Sequence, residues 1–388
     1  MNFKFPLATT SWGQEEINVM QKVIASGMFT MGPKVLEFEK RFAEYVGSKY
    51  CVMVNSGSSA NLLTIATLFY TKNQKYRLKR GDEIIVPAVS WSTTYYPLYQ
   101  YGLKIKFVDI DLYTLNFDLN QLETAITDRT RAIVAVNLLG NPNDFSRIQQ
   151  LIDGKNIVLL EDNCESMGAK FNGKQAGTFG LMGTFSSFFS HHISTMEGGM
   201  IVTGDEEMYH ILLSLRAHGW TRNLPKENHV SGTKRDNLFE ESFNFVLPGY
   251  NVRPLELEGA LGVEQVNRLP TIIAERRKNG RLLQEILGSH PNIIIQREIG
   301  ESSWFGFSLV VKPGSQMTRT SLLEKLNQLG FECRPIVAGN FTKNSVVQYF
   351  DYAIHGNLKN AEHIDQNGLF IGNHHYPIPE AMEALKFL

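Results

Sequence analysis

The sequence predicts an α/β protein with a mostly parallel sheet flanked by helices. Several apolar runs, among them IKFVDID, TRAIVAVNLLGNP and NIVLLEDNCESMGA, end in polar residues and lead into a helical or loop stretch. Such runs are typical of strands that are buried on both faces of a parallel sheet. With 388 residues, of which 43% are hydrophobic, the chain is long enough for two domains around a large core.

We expect three regions along the chain. Residues 1–34 are predicted as an arm and a helix (Gln14 to Ser26), residues 35–255 as a large domain, and residues 256–388 as connecting helices and a small C-terminal α/β domain. The first connecting helix is expected to end near Arg268. Pro270 is then expected to begin a second helix, because proline suits the first helical turn.

The composition argues against several classes of partner. The net charge is -1, from 38 basic and 39 acidic residues, which gives no overall electrostatic attraction for nucleic acid. No apolar run approaches the ~20 residues of a membrane span, and the first residues lack the apolar core of a signal peptide. Cys51, Cys164 and Cys333 are far apart and lack C-x-x-C spacing. We therefore expect a cytoplasmic protein with reduced thiols and no membrane partner.

The stretch YCVMVNSGSSANLLTIATLF reads as a strand, a turn and a helix. Gly57 permits a tight turn, and Ser58 and Ser59 suit a helix N-terminus. The free N–H groups of such a terminus, together with the helix dipole, can bind a phosphate. A simple helix cap explains the same residues, so this stretch alone leaves both interpretations open.

Further polar and aromatic residues lie at the ends of predicted strands, where ligands bind in open α/β sheets. Trp91 follows the predicted strand Glu83 to Val86, although a core tryptophan is the alternative. Asp162 closes a buried strand, and a buried carboxylate needs a partner. Glu165 follows shortly after, where it can contact a ligand or cap the next helix.

The segment FSSFFSHHISTMEGG, Phe185 to Gly199, organises the rest of the chain. It is predicted as a strand that leads into a turn, followed by a second strand from Gly198 to Gly204. Together with NSGSSAN, LLEDNCESMGA and GYNVRPLELEGALG, it resembles the motifs of the sugar-modifying family of fold-type I vitamin B6 enzymes, which contains nucleotide-sugar aminotransferases and dehydratases. The motifs follow the family's order over essentially the whole chain. The resemblance implies an aspartate-aminotransferase-like α/β fold.

The resemblance also implies a site for pyridoxal 5′-phosphate (PLP) or pyridoxamine 5′-phosphate (PMP) in the large domain. In the family, the turn and the serine of F-S hold the phosphate, an aromatic residue stacks on the pyridine ring, and the aspartate of E-D pairs with the ring nitrogen. Carried over to this chain, the cofactor-binding residues are Gly57, Ser58, Trp91, Asp162, Glu165, Ser186 and Asn251.

One residue departs from the family pattern. When F-S and E-G-G are aligned, the lysine that attaches the cofactor covalently is replaced by His191, and no lysine lies between Lys174 and Lys226. Histidine has no primary amine, so the cofactor is expected to rest as PMP without a covalent bond. An imidazole with a pKa near neutrality would act as the catalytic base and return the proton to a leaving oxygen. His192 is expected to have a packing or hydrogen-bonding role.

This departure resembles the 3-dehydratases of nucleotide-linked ketosugars. Segments such as PAVSWSTTYYP and RAHGWTRNLPK are most similar to the dehydratases that act on GDP-linked 4-keto-6-deoxy sugars. The resemblance implies removal of the C3 hydroxyl, glutamate as amino donor, and a homodimer in which Asn251 reaches the neighbouring subunit's cofactor phosphate. Three scattered cysteines argue against the iron–sulfur cluster of the similar CDP-hexose dehydratases, and no metal is expected.

The polar, irregular stretch after Trp220 is predicted to face the substrate, with a solvated loop as the alternative. Arginine suits a diphosphate because its fork binds in a bidentate manner. From the resemblance alone, the candidate substrate contacts are His218, Arg222, Phe243, Arg253 and Glu332.

Three other functions compete with the dehydratase. An aminotransferase that tolerates His191 would release an amino sugar, and a cofactor-binding protein without catalysis would show no turnover. A generic doubly wound nucleotide-binding enzyme is the third, but the first predicted strand is not followed by the G-x-G-x-x-G turn of dinucleotide sites.

Overall fold

The structure, a computed structural model, describes residues 3–388. The α-helices α1 to α12 are Gln14–Ser26, Pro33–Val46, Gly57–Tyr70, Ser92–Gln100, Leu119–Ala125, Phe145–Ile152, Glu206–Arg216, Leu238–Glu241, Glu256–Leu287, Arg319–Gln328, Lys359–Asn367 and Pro379–Leu385. The strands β1 to β16 are Tyr50–Val54, Glu83–Pro87, Lys104–Val108, Thr130–Val136, Val158–Asp162, Lys170–Phe171, Lys174–Gln175, Met182–Ser186, Gly199–Thr203, Glu227–Asn228, Gly232–Thr233, Ile293–Ile295, Gly306–Val311, Cys333–Arg334, Tyr352–Ile354 and Gly368–Gly372. Short 3-10 helices cover Leu138–Gly140, Phe341–Lys343 and Ser345–Tyr349.

An eight-stranded sheet forms the centre of the large domain, with the strand order β1-β9-β8-β5-β4-β2-β3-β15. Its pairings from β8 to β15 are parallel, whereas β9 runs antiparallel to both β1 and β8. Every residue of β5 is buried, as expected for a strand covered on both faces. The predicted mostly parallel sheet is therefore confirmed.

A second, four-stranded sheet lies in the C-terminal region, with the order β12-β13-β16-β14 and antiparallel pairing throughout. It has a separate apolar core that includes Phe307, Leu309 and Ile371. The same region of the chain also supplies β15, which pairs in parallel with β3 at the edge of the large sheet. The division into residues 1–34, 35–255 and 256–388 stays a prediction, since one C-terminal strand belongs to the large sheet.

The expected break between two connecting helices at Pro270 is wrong. One continuous helix, α9, runs from Glu256 to Leu287 with Pro270 inside it. Proline removes one backbone hydrogen bond and usually ends a helix. Here α9 packs against α1 and α2, and the neighbouring Leu269 and Ile273 are buried. This packing stabilises the helical conformation on both sides of the proline, because helices in proteins draw most of their stability from tertiary contacts.

In residues 3–388, no helix combines the length and the apolar character that a membrane crossing requires.

Candidate active site

A cavity of about 330 Å3 opens at the carboxyl ends of the central strands. Its wall includes the last residues of three neighbouring strands: Val136 of β4, Asp162 of β5 and Ser186 of β8. Open α/β sheets bind ligands at this edge. Gly57, at the N-terminus of α3, completes this side of the cavity. Four motifs that are far apart in the sequence thus meet at one place.

The N-terminus of α3 lies against the end of β8. The cap of this helix is Ser56, whose Oγ accepts a hydrogen bond from the backbone N–H of Ser59 at 3.1 Å. Ser58 instead hydrogen-bonds Thr93 through the two hydroxyl groups. A Cβ on Gly57 would lie 2.8 Å from the Cβ of Ser186, so the close approach requires glycine here. Ser56 is therefore the helix cap, and the anion-binding interpretation of Gly57 and Ser58 stays a prediction.

Asp162 is buried and fixed by three hydrogen bonds. Its Oδ2 accepts from the Asn61 amide at 2.8 Å and from the Thr94 hydroxyl at 2.7 Å. Its Oδ1 accepts from the backbone N–H of Cys164 at 3.2 Å. A carboxylate held in this way presents a fixed negative charge to a ligand in the cavity.

Trp91 is not a core residue. Its side chain is 59% exposed, and it lies at the start of α4 beside the cavity. The alternative interpretation as a buried tryptophan is therefore wrong, and the indole is available for stacking.

His191 lies at the cavity between two aromatic rings. The ring centroids of Phe188 and Phe305 are 5.9 and 5.0 Å from that of the imidazole, and both approach it edge to face. Its Nδ1 is buried and has no hydrogen-bond partner within residues 3–388. Nε2 is therefore the ring nitrogen that can face a ligand.

The environment of His191 changes its acidity. Burial, together with the positive charges of Arg334 and Arg276, lowers the pKa of the imidazole from 6.5 to about 3. The expectation of a pKa near neutrality is therefore wrong for this structure. A base still needs the neutral form of the ring, and that form predominates at neutral pH.

Glu165 does not cap a helix, since residues 163–169 contain none. Its Oε2 accepts a hydrogen bond from the backbone N–H of Leu139 at 3.2 Å, and the side chain lines the cavity. Burial raises the pKa of its carboxyl to about 7, against the opposing charge of Arg334.

His192 has the hydrogen-bonding role that was expected. It is buried, and its Nε2 lies 3.1 Å from the carbonyl oxygen of Ser303. A carbonyl only accepts, so Nε2 carries the proton. Burial, followed by the charge of Arg276, lowers the pKa of this ring well below its usual value, and the ring is neutral.

The candidate substrate contacts do not line this cavity. Three of them surround Trp220: the guanidinium carbons of Arg222 and Arg253 lie 4.0 and 5.5 Å from its ring centroid, and the ring of His218 lies at 5.1 Å. Phe243 joins the group through Arg222, whose guanidinium carbon lies 5.3 Å from the centroid of the Phe243 ring. We call this group the Trp220 cluster.

Two further predicted site residues have local partners. The Oδ1 of Asn251 accepts from Arg253 at 3.0 Å, which connects Asn251 to the Trp220 cluster. The Oε2 of Glu332 accepts from the backbone N–H of Leu7 at 2.9 Å, so Glu332 binds the N-terminal arm. The structure thus brings Asn251 to the cluster and leaves Glu332 outside it.

Residues 10–383 match the model of the DegT/DnrJ/EryC1/StrS aminotransferase family. The chain belongs to this family. It is 63% identical over 382 residues to the GDP-4-keto-6-deoxy-D-mannose 3-dehydratase of Yersinia pseudotuberculosis, covering 98% of the chain and 97% of that protein. A solved structure of the E. coli GDP-4-keto-6-deoxy-D-mannose-3-dehydratase with bound hydrated PLP is 60% identical, with a TM-score of 0.98 over 100% of the chain and 99% of that structure. A GDP-4-keto-6-deoxymannose-3-dehydratase structure with a trapped PLP-glutamate geminal diamine is also 60% identical, with a TM-score of 0.97 over 99% of each chain.

These findings confirm the resemblance and the fold class predicted from the motifs. The structure also identifies residues at and around the cavity that were not among the predicted contacts. Asn61, the last residue of the NSGSSAN stretch, lines the cavity and holds Asp162 together with Thr94, which lies behind it in α4. Arg334 also lines the cavity, and Phe305 reaches it from the loop before β13.

Proposed function

We propose that this member of the DegT/DnrJ/EryC1/StrS family is a PMP-dependent 3-dehydratase. Its substrate would be a GDP-linked 4-keto-6-deoxyhexose, of the kind that its relatives' names specify. The observation that carries the proposal is that His191 lines the cavity. The motif resemblance assigns this position to the family's lysine. Without that lysine, the protein cannot attach the cofactor covalently at this position. The identity of 63% to a named 3-dehydratase supports the same reaction over an aminotransferase.

The cavity residues fit the cofactor. The close approach at Gly57 leaves the N-terminus of α3 and the Ser186 hydroxyl beside the cavity, as a phosphate requires. Asp162 supplies a fixed carboxylate for a pyridinium nitrogen, and the exposed Trp91 supplies a face for the ring. When bound, PMP supplies an amine that reacts with the sugar ketone and a ring that accepts electrons.

His191 moves the protons in this proposal. Neutral Nε2 accepts a proton at the cavity and then donates it to the departing oxygen of the sugar C3. A second proton-transfer group is not needed, because one imidazole serves both steps. Glu165, which also lines the cavity, keeps its predicted role as a cofactor contact in this proposal.

The overall reaction balances with glutamate as the amino donor. The sugar loses one oxygen atom and keeps its ketone, and glutamate becomes 2-oxoglutarate and ammonia. The oxygen that the sugar loses equals the oxygen that glutamate gains, so the sugar is reduced and glutamate is oxidised. One of the relatives holds PLP bound to glutamate, which supports this donor. The expected cytoplasmic location stays a prediction.

The decisive experiment incubates the protein with PMP, glutamate and GDP-4-keto-6-deoxymannose and reads the product by mass spectrometry. We expect a sugar that has lost one oxygen atom and retains its ketone. A product in which an amine replaces the ketone would instead establish an aminotransferase. Recovery of the unchanged sugar would instead indicate a cofactor-binding protein without catalysis.

We further propose a homodimer with shared sites. The Trp220 cluster offers two arginines that suit a diphosphate, but none of its members lines the cavity of their own chain. A second subunit could place its own cluster, with Asn251, over this cavity. In that arrangement each site combines the cavity of one chain with the cluster of the other.

Mixed dimers test the sharing. The variants Asn251→Ala and His191→Asn should each be inactive alone. A mixed dimer has one site with both defects and one site with neither, so activity should return to part of the parent value. If mixed dimers form and remain inactive, or if the active species is a monomer, the shared site is excluded.

A further inference from the structure

The catalytic imidazole lacks the hydrogen-bond partner that usually orients such a group. A histidine base is commonly held by a hydrogen bond to its other ring nitrogen. In His191 that atom is Nδ1, which is buried and has no partner in the described chain. Its orientation must therefore come from packing. The closer of its two aromatic neighbours is Phe305, with 5.0 Å between the ring centroids.

We propose that Phe305 is the positioning residue of His191 and that the segment 303–305 holds it in place. This inference rests on the proposed role of His191 as the proton-transfer group. Phe305 is 5% exposed and has the imidazole on one side. The stacked ring of Phe370 lies on another side, at 6.1 Å. The phenyl ring therefore has little room to move.

Backbone contacts fix the segment from one side. The N–H of Ser303 donates to the carbonyl of Gly140 at 2.8 Å, and the N–H of Phe305 donates to that of Leu139 at 3.1 Å. Leu139 and Trp304 both adopt positive φ, at 55° and 47°. Such conformations are costly for large side chains and persist only where the surroundings enforce them. A Cβ on Gly140 would lie 2.4 Å from the backbone nitrogen of Trp304, so the two segments are in direct contact.

Two side chains fix the segment from the other side. His192 donates from Nε2 to the Ser303 carbonyl, and Arg276 of α9 donates from Nη1 to the Phe305 carbonyl at 2.9 Å. Both residues are buried, and neither lines the cavity. His192 therefore acts on the neighbouring His191 through Ser303 and Phe305.

A first set of variants tests the phenyl ring. Phe305→Leu removes the ring and keeps an apolar side chain, whereas Phe305→Tyr keeps the ring. Phe341→Leu makes the same change in another buried phenylalanine, which does not line the cavity. We expect Phe305→Leu to lower kcat by about tenfold to 100-fold with little change in KM, because small misplacements of a catalytic group are costly. Phe305→Tyr should retain most of the parent kcat, and the kcat of Phe341→Leu should stay close to that of the parent.

A second set tests the hydrogen bond to Ser303 and remains informative if Phe305→Leu does not fold. His192→Phe removes the donor, whereas His192→Gln offers an amide N–H near the position of Nε2. We expect kcat to fall in the first variant and to recover in the second. Equal losses in both variants would show that the hydrogen bond does not matter.

A readout without turnover separates this inference from the proposed function. Diethyl pyrocarbonate modifies neutral imidazoles, and peptide mass spectrometry can follow His191 and His355 in the same full-length chain. Phe305→Leu should raise the modification rate of His191 severalfold relative to that of His355, even if the protein proves to have another activity. The inference is overturned if His191 reacts at the parent rate in Phe305→Leu. It is also overturned if Phe341→Leu changes kcat and the reactivity of His191 as much as Phe305→Leu does.

Discussion

The depressed pKa of His191 predicts a specific acid sensitivity of the folded protein, and His191→Asn should remove it. Burial and two nearby arginines lower the pKa of the imidazole from 6.5 to about 3. Between these values the unfolded chain binds a proton at this residue and the native chain does not. Acid therefore favours the unfolded state, and the native state loses stability as the pH falls below the unfolded pKa.

The size of the effect follows from proton linkage. One proton of difference changes the free energy of unfolding by about 1.4 kcal/mol per pH unit. From the unfolded pKa of 6.5 down to about pH 5 is about 1.5 units, so His191 should account for about 2 kcal/mol of lost stability. His191→Asn cannot bind this proton. Its stability should fall by about 2 kcal/mol less than that of the parent between about pH 7 and about pH 5.

Urea denaturation at both pH values, at one fixed protein concentration, measures this difference. Any effect of the substitution on the free energy of unfolding that does not depend on pH cancels in the comparison. The contributions of the other buried histidines cancel as well, because they are the same in both proteins. His355→Asn, which replaces a histidine hydrogen-bonded to Thr124, controls for the general effect of removing a histidine. If the parent and His191→Asn lose the same stability on acidification, His191 is not held neutral by its surroundings.

Three further predictions concern the cofactor. Gly57→Ala should weaken PMP binding in a fluorescence titration, because the new Cβ would lie 3.0 Å from the Sγ of Cys164. Gly204→Ala is the control and should bind PMP like the parent, because its new Cβ would have no atom within 4 Å. Asp162→Asn should weaken PMP binding by about 2 kcal/mol, the value of a hydrogen bond between charged groups, as read in the same titration. His191→Lys should allow borohydride to trap PLP covalently on the protein, as seen by mass spectrometry, and should abolish dehydration; full dehydratase activity in that variant would contradict the importance of the missing lysine.

The fold was predictable where local pattern and tertiary packing agree. The buried apolar runs became β3, β4 and β5, and the helix from Gln14 to Ser26 appears with those bounds. Pro270 is the instructive exception, since the local preference of proline for a helix start favoured two helices. In the structure the contacts of α9 with α1 and α2 outweigh that preference. A sequence pattern reports the local conformational preference of the residues but not the energy of their tertiary packing.

The site was predictable to the extent that its residues belong to motifs. Asp162 and Ser186 end adjacent strands, so their proximity follows from the parallel sheet. Asn61 lies in α3 and Phe305 before β13, and only tertiary structure brings them to the cavity. Their residue types are ordinary for a helix and a core, and although Asn61 ends the NSGSSAN stretch, no local pattern shows that it holds Asp162. The sequence motifs therefore predicted cavity-lining residues such as Asp162 and Ser186 better than the residues that orient them.

The pKa of His191 depends on its surroundings as well as on its residue type. An imidazole in water is a moderate base, and the sequence alone supports that expectation. In the structure a proton on this ring is destabilised by burial and by the charges of Arg334 and Arg276. The ring is then a weaker base but, once protonated, a stronger acid. Hydroxide is a poor leaving group, so a strong acid beside the sugar C3 oxygen assists the step in which the carbon–oxygen bond breaks. The depressed pKa thus assists the proposed proton donation to the departing oxygen and opposes the proton abstraction that precedes it.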